Sequence, residues 1–452
     1  MVRANEHRLS LAQDSIRRLL RRGASPHITN LLHKLHASDV AHLLRQLALD
    51  EKRQVFELVG PPARAGEILS ECDPPTVDEI LEGREPKDIA AFFQEMDADD
   101  VTDIIAMLPE EQARTILDIL HVGMAEPVTD LLRYDEDTAG GIMTPHFLAL
   151  EKDVSVEDAV RAVRKASEAE TVFYIYVVDD LGRLEGVISL RQLLLSPPTA
   201  SLKSFMRREV YRVRTDTHQE EVARLVSGYN LLAVPVMGED SKLVGIVTVD
   251  DVIDVLRDEA TEDILKMAGT HDEEILTRSA FRVARYRLPW LLAGLAGGIV
   301  TIQIIGRFTG LLSELVLLAA FMPVILGMGG NVGSQAATIV VRGIATGRLD
   351  PKQWWPILWK QLRVGALLAV TLGVLLGILA YFYVSDIKWF SVTVGAAISG
   401  AMIAASVWGA FLPLLFHRLQ IDPAVATQPF VSTTIDIVSS LIYFSIAAWL
   451  LL

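Results

Sequence analysis

The chain has 452 residues, a formal net charge of −15 and a single cysteine, Cys72. The acidic balance argues against nucleic acid as a partner, because phosphates need a basic surface, and it favours cations. One cysteine excludes an internal disulfide framework and suits a reducing compartment. Hydrophobic residues make up 51% of the chain and charged ones 22%, which reconcile only if the two classes are segregated. Almost all charge precedes Arg287 and almost all long apolar runs follow it. The first segment, MVRANEHRLSLAQDSIRRLLRRG, is amphipathic and Arg-rich without a signal-type apolar core. No cleaved signal is expected, and the long region before the first span is expected to stay in the cytoplasm.

Residues 35–120 read as helices with an imperfect repeat. SDVAHLLRQLALDEKRQVFEL (38–58) resembles DDVTDIIAMLPEEQARTILDIL (99–120), and KDIAAFFQEM (87–96) is a partial third copy. Short amphipathic helices started by Asp or Pro predict an α-solenoid-like superhelix. His27, His33, His36 and His42 of the N-terminal helices are read as solvated rather than as ligands.

A second repeat fills residues 138–264. YIYVVDDLGRLEGVISLRQLL (174–194) aligns with AVPVMGEDSKLVGIVTVDDVI (233–253), each a strand, turn, strand and helix preceded by a further helix. With its Met143-Thr144-Pro145 start, the pattern resembles a tandem pair of CBS domains. In such pairs an S/T-x-x-D tetrad places its Asp on a nucleotide ribose. The second copy keeps it as Thr248-Val249-Asp250-Asp251, whereas the first reads Ser189-Leu190-Arg191-Gln192. The missing Asp argues against ATP at the first site, where Tyr174 is the remaining candidate nucleotide contact.

The next helix, 250–264, carries Asp250, Asp251, Asp254, Asp258, Glu259, Glu262 and Asp263 against one Arg257. Asp251, Asp254, Asp258 and Glu262 share a face, and like charges at such spacing destabilise a helix. Asp97, Asp99, Asp100 and Asp103 form a second acidic group. Two such surfaces repel unless a hard dication with oxygen ligands lies between them.

Five apolar segments are long enough to cross a bilayer: 288–306, 315–341, 365–384, 390–416 and 428–452. Arg278, Arg282, Arg285 and Arg287 precede the first, and Arg342, Arg348, Lys352, Lys360 and Arg363 separate the second and third. Arg418 separates the last two, against only Arg307 and Lys388 on the other side. The positive-inside rule therefore puts the N-terminal half inside the cell. Five spans without an inverted repeat suit a pathway built by two copies.

Span 2 contains PVILGMGGNVGSQ, in which Asn331, Ser334 and Gln335 lie at membrane depth among glycines. Asp436 is the acidic residue deep inside the last span, where a carboxylate costs about 3 kcal/mol even on insertion scales and marks an ion or proton path by default. Gln428, Ser432 and Asp436 fall on one helical face. A proton-coupled exchanger using Asp436, a less selective divalent channel and a CBS-regulated membrane enzyme are the alternatives. Against the enzyme, no Ser/His/Asp, Cys/His or His-rich constellation and no G-x-x-x-x-G-K-[ST] loop occurs.

Four segments together, DEDTAGGIMTP (135–145), GIVTVDDV–DVL–EATEDI (245–264), PVILGMGGNVGSQ (323–335) and IDPAV–QPFVSTTID (421–436), make the chain resemble the MgtE family of magnesium channels over nearly its whole length. The resemblance implies a multidomain membrane protein: a superhelical α-helical N-domain (1–134), two α/β CBS domains (135–199 and 200–264), a connecting or plug helix (265–286) and an all-α five-span domain (287–452). It implies a homodimer in the plasma membrane, with Mg²⁺ both cargo and regulator and no enzymatic activity. By position, Asp436 is the pore ligand and Asp422 stands at the cytoplasmic entrance. Asn331, Ser334, Gln335, Gln428 and Ser432 line the pore. Asp99, Asp103, Gly141, Asp251, Asp254, Glu259, Glu262 and Asp263, with Glu67, form the sensor. Asn230 stands where the family often has Asp, and Ser334 and Gln428 stand where Asn is common.

Overall fold

The computed structural model describes residues 2–451 except 167–171, 272–273, 275–276, 278, 385–386, 388 and 427; for 2–8, 426, 428 and 429 it describes the backbone alone. It has two units, Met1–Leu256 and Arg257–Leu452.

The first unit opens with α1 (Val2–Arg21), α2 (Ser25–Leu32), α3 (Ala37–Arg45), α4 (Leu49–Phe56), α5 (Pro62–Ser70), α6 (Pro74–Leu81), α7 (Pro86–Phe93), α8 (Ala98–Met107), α9 (Glu110–Ile119) and α10 (Val122–Leu131). Proline in the first turn starts α2, α5, α6 and α7, where its missing N–H costs nothing. From α3 onward each helix packs on the one two further along: α3 on α5, α5 on α7, α7 on α9, and α4 on α6, α6 on α8, α8 on α10. That is the solenoid the repeat predicts. Equivalent repeat positions are buried in both copies, Val40, Leu43 and Leu44 in α3 and Val101, Ile104 and Ile105 in α8. Lys52 is buried too, its ammonium 2.5 Å from Glu79 and 3.3 Å from the Thr76 hydroxyl.

The CBS repeat follows as β1 (Ala149–Glu151), α11 (Val156–Lys165), β2 (Tyr174–Val178), β3 (Leu184–Ser189) and α12 (Leu190–Leu195), then β4 (Val213–Arg214), α13 (Gln219–Tyr229), β5 (Ala233–Met237), β6 (Leu243–Thr248) and α14 (Val249–Ala268). Each copy forms a three-stranded sheet in chain order, its first pair parallel and its second antiparallel. The antiparallel register shifts at the same repeat position in both, at Val177/Val178 and at Val236/Met237. Tyr176 packs with Ala233 and Ile246, joining the two copies. The solenoid core runs on through Ala139 and Met143 into Val222, Val247 and Val255.

The second unit holds the end of α14, then α15 (Ala280–Arg307), α16 (Thr309–Glu314), α17 (Leu317–Ala345), α18 (Trp354–Tyr383), α19 (Phe390–Arg418) and α20 (Gln428–Leu451). Five of these helices are long and apolar enough to cross a membrane. The central α19 packs on α17, α18 and α20. At the α17–α19 crossing a Cβ on Gly409 would lie 2.2 Å from the Gly333 carbonyl oxygen, so only glycine allows this backbone approach.

Two boundaries differ from the sequence reading. The third spanning helix begins at Trp354, not Gly365, because Lys360 and Arg363 sit on an exposed face while Ile357, Leu358 and Gln361 are buried. The connecting segment 265–286 is not one helix. α14 stops at Ala268, where Gly269 takes the left-handed conformation (φ 76°) that commonly ends a helix, and α15 starts at Ala280.

Candidate ion-conducting and ion-sensing sites

α17 and α20 enclose an open groove of about 600 Å³, lined by Asn331, Ser334, Gln335, Ser432 and Asp436 together with Gly327, Gly330 and Thr338. Residues about a hundred positions apart in the chain thus meet along one polar surface. The helical spacing of each set explains this: Gly327, Gly330, Ser334 and Thr338 fall on one stripe of α17, and Ser432 and Asp436 on one stripe of α20. Glycine at 327 and 330 removes side chains from the wall, leaving room beside the carboxylate. The Gln428 side chain lies outside the described residues. Neutral amides and hydroxyls around one acid suit a hydrated dication held largely through its water, since Mg²⁺ gives up water reluctantly.

Asp422 lies just before α20. Its Oδ1 accepts from the Ala424 backbone N–H at 2.8 Å, and its Oδ2 accepts from Lys266 Nζ at 2.9 Å. The same ammonium is 2.6 Å from Glu262 Oε1. Burial opposes the Lys266 charge, but the hydrogen bonds it donates to Glu262 and Asp422 overcome this and raise its pKa above the ordinary lysine value. A fixed cation therefore already stands between two residues implied as Mg²⁺ ligands. Asp263 Oδ2 lies 3.8 Å from Arg342 Nη1. Glu259 belongs to the same turns of α14.

In the first unit, Asp103 on α8 is influenced by Glu136 and by Asp251 on α14. Burial first, then these two negative charges, push its carboxyl up to about 7. Asp251 is pushed up to about 6 by burial and by Asp250 and Asp254, against the Thr248 hydrogen bonds that favour its charge. Its Oδ2 accepts from the Thr248 hydroxyl at 2.6 Å. The tetrad therefore acts here as a helix cap, as Ser189 and Gln192 do at the start of α12. Burial also raises Asp97, with Asp250 adding to the shift and His146 opposing it. The Oδ1 of Asp99 is buried. A Cβ on Gly141 would lie 2.5 Å from the Asp135 carbonyl oxygen and 2.7 Å from that of Glu136, so the chain turns there only with glycine. Glu67 pairs with Arg64 on its own helix at 2.5 Å.

Among the described residues no three His, Cys, Asp or Glu side chains converge closely enough to hold a metal. Asp103 of α8 and Asp251 of α14 instead repel each other as like charges, the arrangement a dication relieves. Glu136 and Lys266 are the site residues that sequence reasoning missed. Lys266 had a signal in its i,i+4 spacing from Glu262; Glu136 had none beyond its place in DEDTAGG. Tyr174 is half-buried at the start of β2, its ring 6.5 Å from that of Tyr176.

Three family models cover most of the chain: the MgtE divalent cation transporter over residues 322–446, the MgtE intracellular N domain over 35–137, and the CBS domain over 139–197 and 202–258. The magnesium transporter MgtE of Thermus thermophilus is 38% identical over 448 residues, 97% of this chain and 98% of its own length. The chain belongs to the MgtE family. The Bacillus subtilis MgtE is 33% identical over 78% of this chain and 79% of its own. Among solved structures, the cytosolic domain of the Mg²⁺ channel MgtE in complex with ATP matches with TM-score 0.51 at 38% identity, covering 54% of this chain and 99% of that one. The MgtE architecture thus accounts for the solenoid, the CBS pair and the five apolar helices, and makes this a multi-pass membrane protein with a large non-membrane N-terminal half.

Proposed function

We propose that this MgtE-family protein conducts Mg²⁺ into the cell as a homodimeric, Mg²⁺-selective channel, and that intracellular Mg²⁺ closes it. The observation that carries the reading is the groove where Asp436 and Ser432 of α20 meet Asn331, Ser334 and Gln335 of α17. In this reading each copy supplies one half of the pathway, and two Asp436 carboxylates hold a hydrated ion between them. Each alone in apolar surroundings is costly; a dication offsets that cost for both. The inward potential suffices as driving force, since a dication crossing 100 mV gains about 4.6 kcal/mol.

Asp99, Asp103 and Asp251, with Asp254 and the Gly141 carbonyl, would hold the regulatory ion on the CBS side, and Glu259, Glu262, Asp263 and Asp422 the ion nearer the spans. Like charges at Asp103 and Asp251 that raise the Asp103 pKa support this, because ion binding would draw α8 and α14 together and proton or ion loss would release them. The Lys266 bridge to Glu262 and Asp422 gives a competing cation that Mg²⁺ must displace. The N-terminal half is assigned to the cytoplasm and the spans to the plasma membrane on the placement of basic residues. ATP stays a candidate modulator because a relative's cytosolic domain was crystallised with it; in this chain the first tetrad ends in Gln192, which caps its own helix.

Flux in reconstituted vesicles tests the reading. Uptake is expected to follow the Mg²⁺ gradient and membrane potential without an opposing pH gradient. Uptake that requires such a gradient would replace the channel by a proton exchanger using Asp436.

A further inference from the structure

We propose that the face of α18 pointing away from the helix bundle binds an anionic phospholipid, its headgroup at the foot of the helix and an acyl chain along the apolar groove above. The first turns of α18 have two distinct sides. Ile357, Leu358 and Gln361 are buried, and Ser406 of α19 donates to the Gln361 backbone carbonyl at 2.8 Å. On the opposite side Trp355 and Trp359 are 63% and 53% exposed, with their rings stacked at 6.5 Å and 24°. Lys352, Lys360 and Arg363 are exposed on the same side.

Among the described residues, none of these three cations forms an ion pair within the chain; the ion pairs of this unit involve Lys266, Arg287 and Arg342. The nearby acid, Asp350, is engaged otherwise: Oδ1 accepts from the Lys352 backbone N–H at 2.9 Å and Oδ2 from Gln353 Nε2 at 3.2 Å. The local balance is positive and faces outward.

Membrane depth follows from helix length. Trp359 and Tyr381 are 22 residues apart, about 33 Å along a helix, close to the ~30 Å thickness of the hydrocarbon core. Exposed Tyr381, Phe382 and Tyr383 mark the far interface, so Trp355 and Trp359 sit at headgroup level at the near one. Aromatic residues thus stand at both ends, but the triple cation stands only at the foot; beyond Tyr383 the sequence offers Lys388 opposed by Asp386.

A free anion would need only the cations. The surface above them selects an amphiphile. Leu367, Val370 and Val374 continue the same face and are exposed. Val370 and Val374 lead into an open apolar groove of about 600 Å³ between α18 and α19, floored by Gly373, Gly377 and Gly395. Charged phosphate at the foot, indole at the interface and an aliphatic channel above match a phospholipid from head to tail. That the leaflet is the cytoplasmic one rests on the orientation proposed above; the binding does not.

The test uses the full-length protein in phosphatidylcholine vesicles containing either brominated phosphatidylglycerol or brominated phosphatidylcholine at equal low mole fraction, with tryptophan fluorescence as readout. Brominated phosphatidylglycerol is expected to quench several-fold more effectively, on the scale of about fivefold in affinity per cation. The K352Q/K360Q/R363Q variant is expected to lose the difference, whereas K352R/K360R/R363K keeps it and thereby controls for folding. Inorganic phosphate at millimolar concentration is expected to leave the preference intact. Equal quenching by the two lipids in the wild type, a preference that survives the glutamine variant, or its abolition by inorganic phosphate would each overturn the proposal.

Discussion

Single residues carry the sharpest chemistry, and several have roles that composition alone does not reveal. Asp103 and Asp251 have folded pKa values of about 7 and about 6, above the ~3.9 of an unfolded Asp. The folded state therefore binds more protons than the unfolded one, and without Mg²⁺ stability falls as pH rises from about 4 to about 7. Over the same window the stabilising effect of Mg²⁺ grows, because the metal competes with those protons. Thermal melts of the full-length protein at pH 5 and pH 8, with and without Mg²⁺, read both trends; a Mg²⁺ shift as large at pH 5 as at pH 8 would remove these carboxylates from the sensor. Asp103→Asn is expected to lose the pH trend and most of the Mg²⁺ shift together. Lys266→Gln removes the ammonium between Glu262 and Asp422. The Mg²⁺ concentration giving half of the melting shift is then expected to fall by about fivefold, the worth of one partly exposed pair of ~1 kcal/mol. An unchanged or raised midpoint would mean that Lys266 does not compete with the ion. The Lys266 bridge was hard to anticipate, since Asp422 lies 156 positions away.

At the level of elements, legibility tracked periodicity. The two solenoid copies and the two CBS copies were readable because each repeats its apolar positions, Val40 matching Val101 and β2 matching β5. The α17 and α20 polar stripes were readable for the same reason. What periodicity did not show was where α18 begins and α14 ends. Lys360 and Arg363 look like a loop in one dimension but are tolerated on the outward face of a helix, where long cationic side chains reach water. Gly269 breaks a segment whose composition otherwise favours helix. Gly141 and Gly409 mark places where two backbones meet, a property of the folded chain that no local pattern encodes. Gly141→Ala forces a methyl into the Asp135 and Glu136 carbonyls and is expected to destabilise the first unit by about 1–3 kcal/mol. Chemical denaturation of that mutant against wild type measures this; a change below ~0.5 kcal/mol would show that the turn relaxes at no cost.

For the molecule as a whole, segregation of charge was the most telling property: an acidic, soluble half and an apolar five-helix half, joined through α14. The family's cargo and the acids of the first unit together predict that Mg²⁺ compacts the N-terminal half. Limited proteolysis of the full-length protein is expected to show slower cleavage as Mg²⁺ rises into the millimolar range, and the protection is expected to vanish in a D99N/D103N/D251N variant. Protection that persists in that variant would place the regulatory ion elsewhere. The central claim concerns the membrane half, that Asp436 is the acid an ion passes. Its most direct test is Mg²⁺ uptake by wild-type and Asp436→Asn protein reconstituted at equal density in vesicles under an inside-negative potential. Uptake is expected to fall at least tenfold in the mutant while the fold and the Mg²⁺-dependent protease protection remain. Uptake equal to wild type would contradict the account.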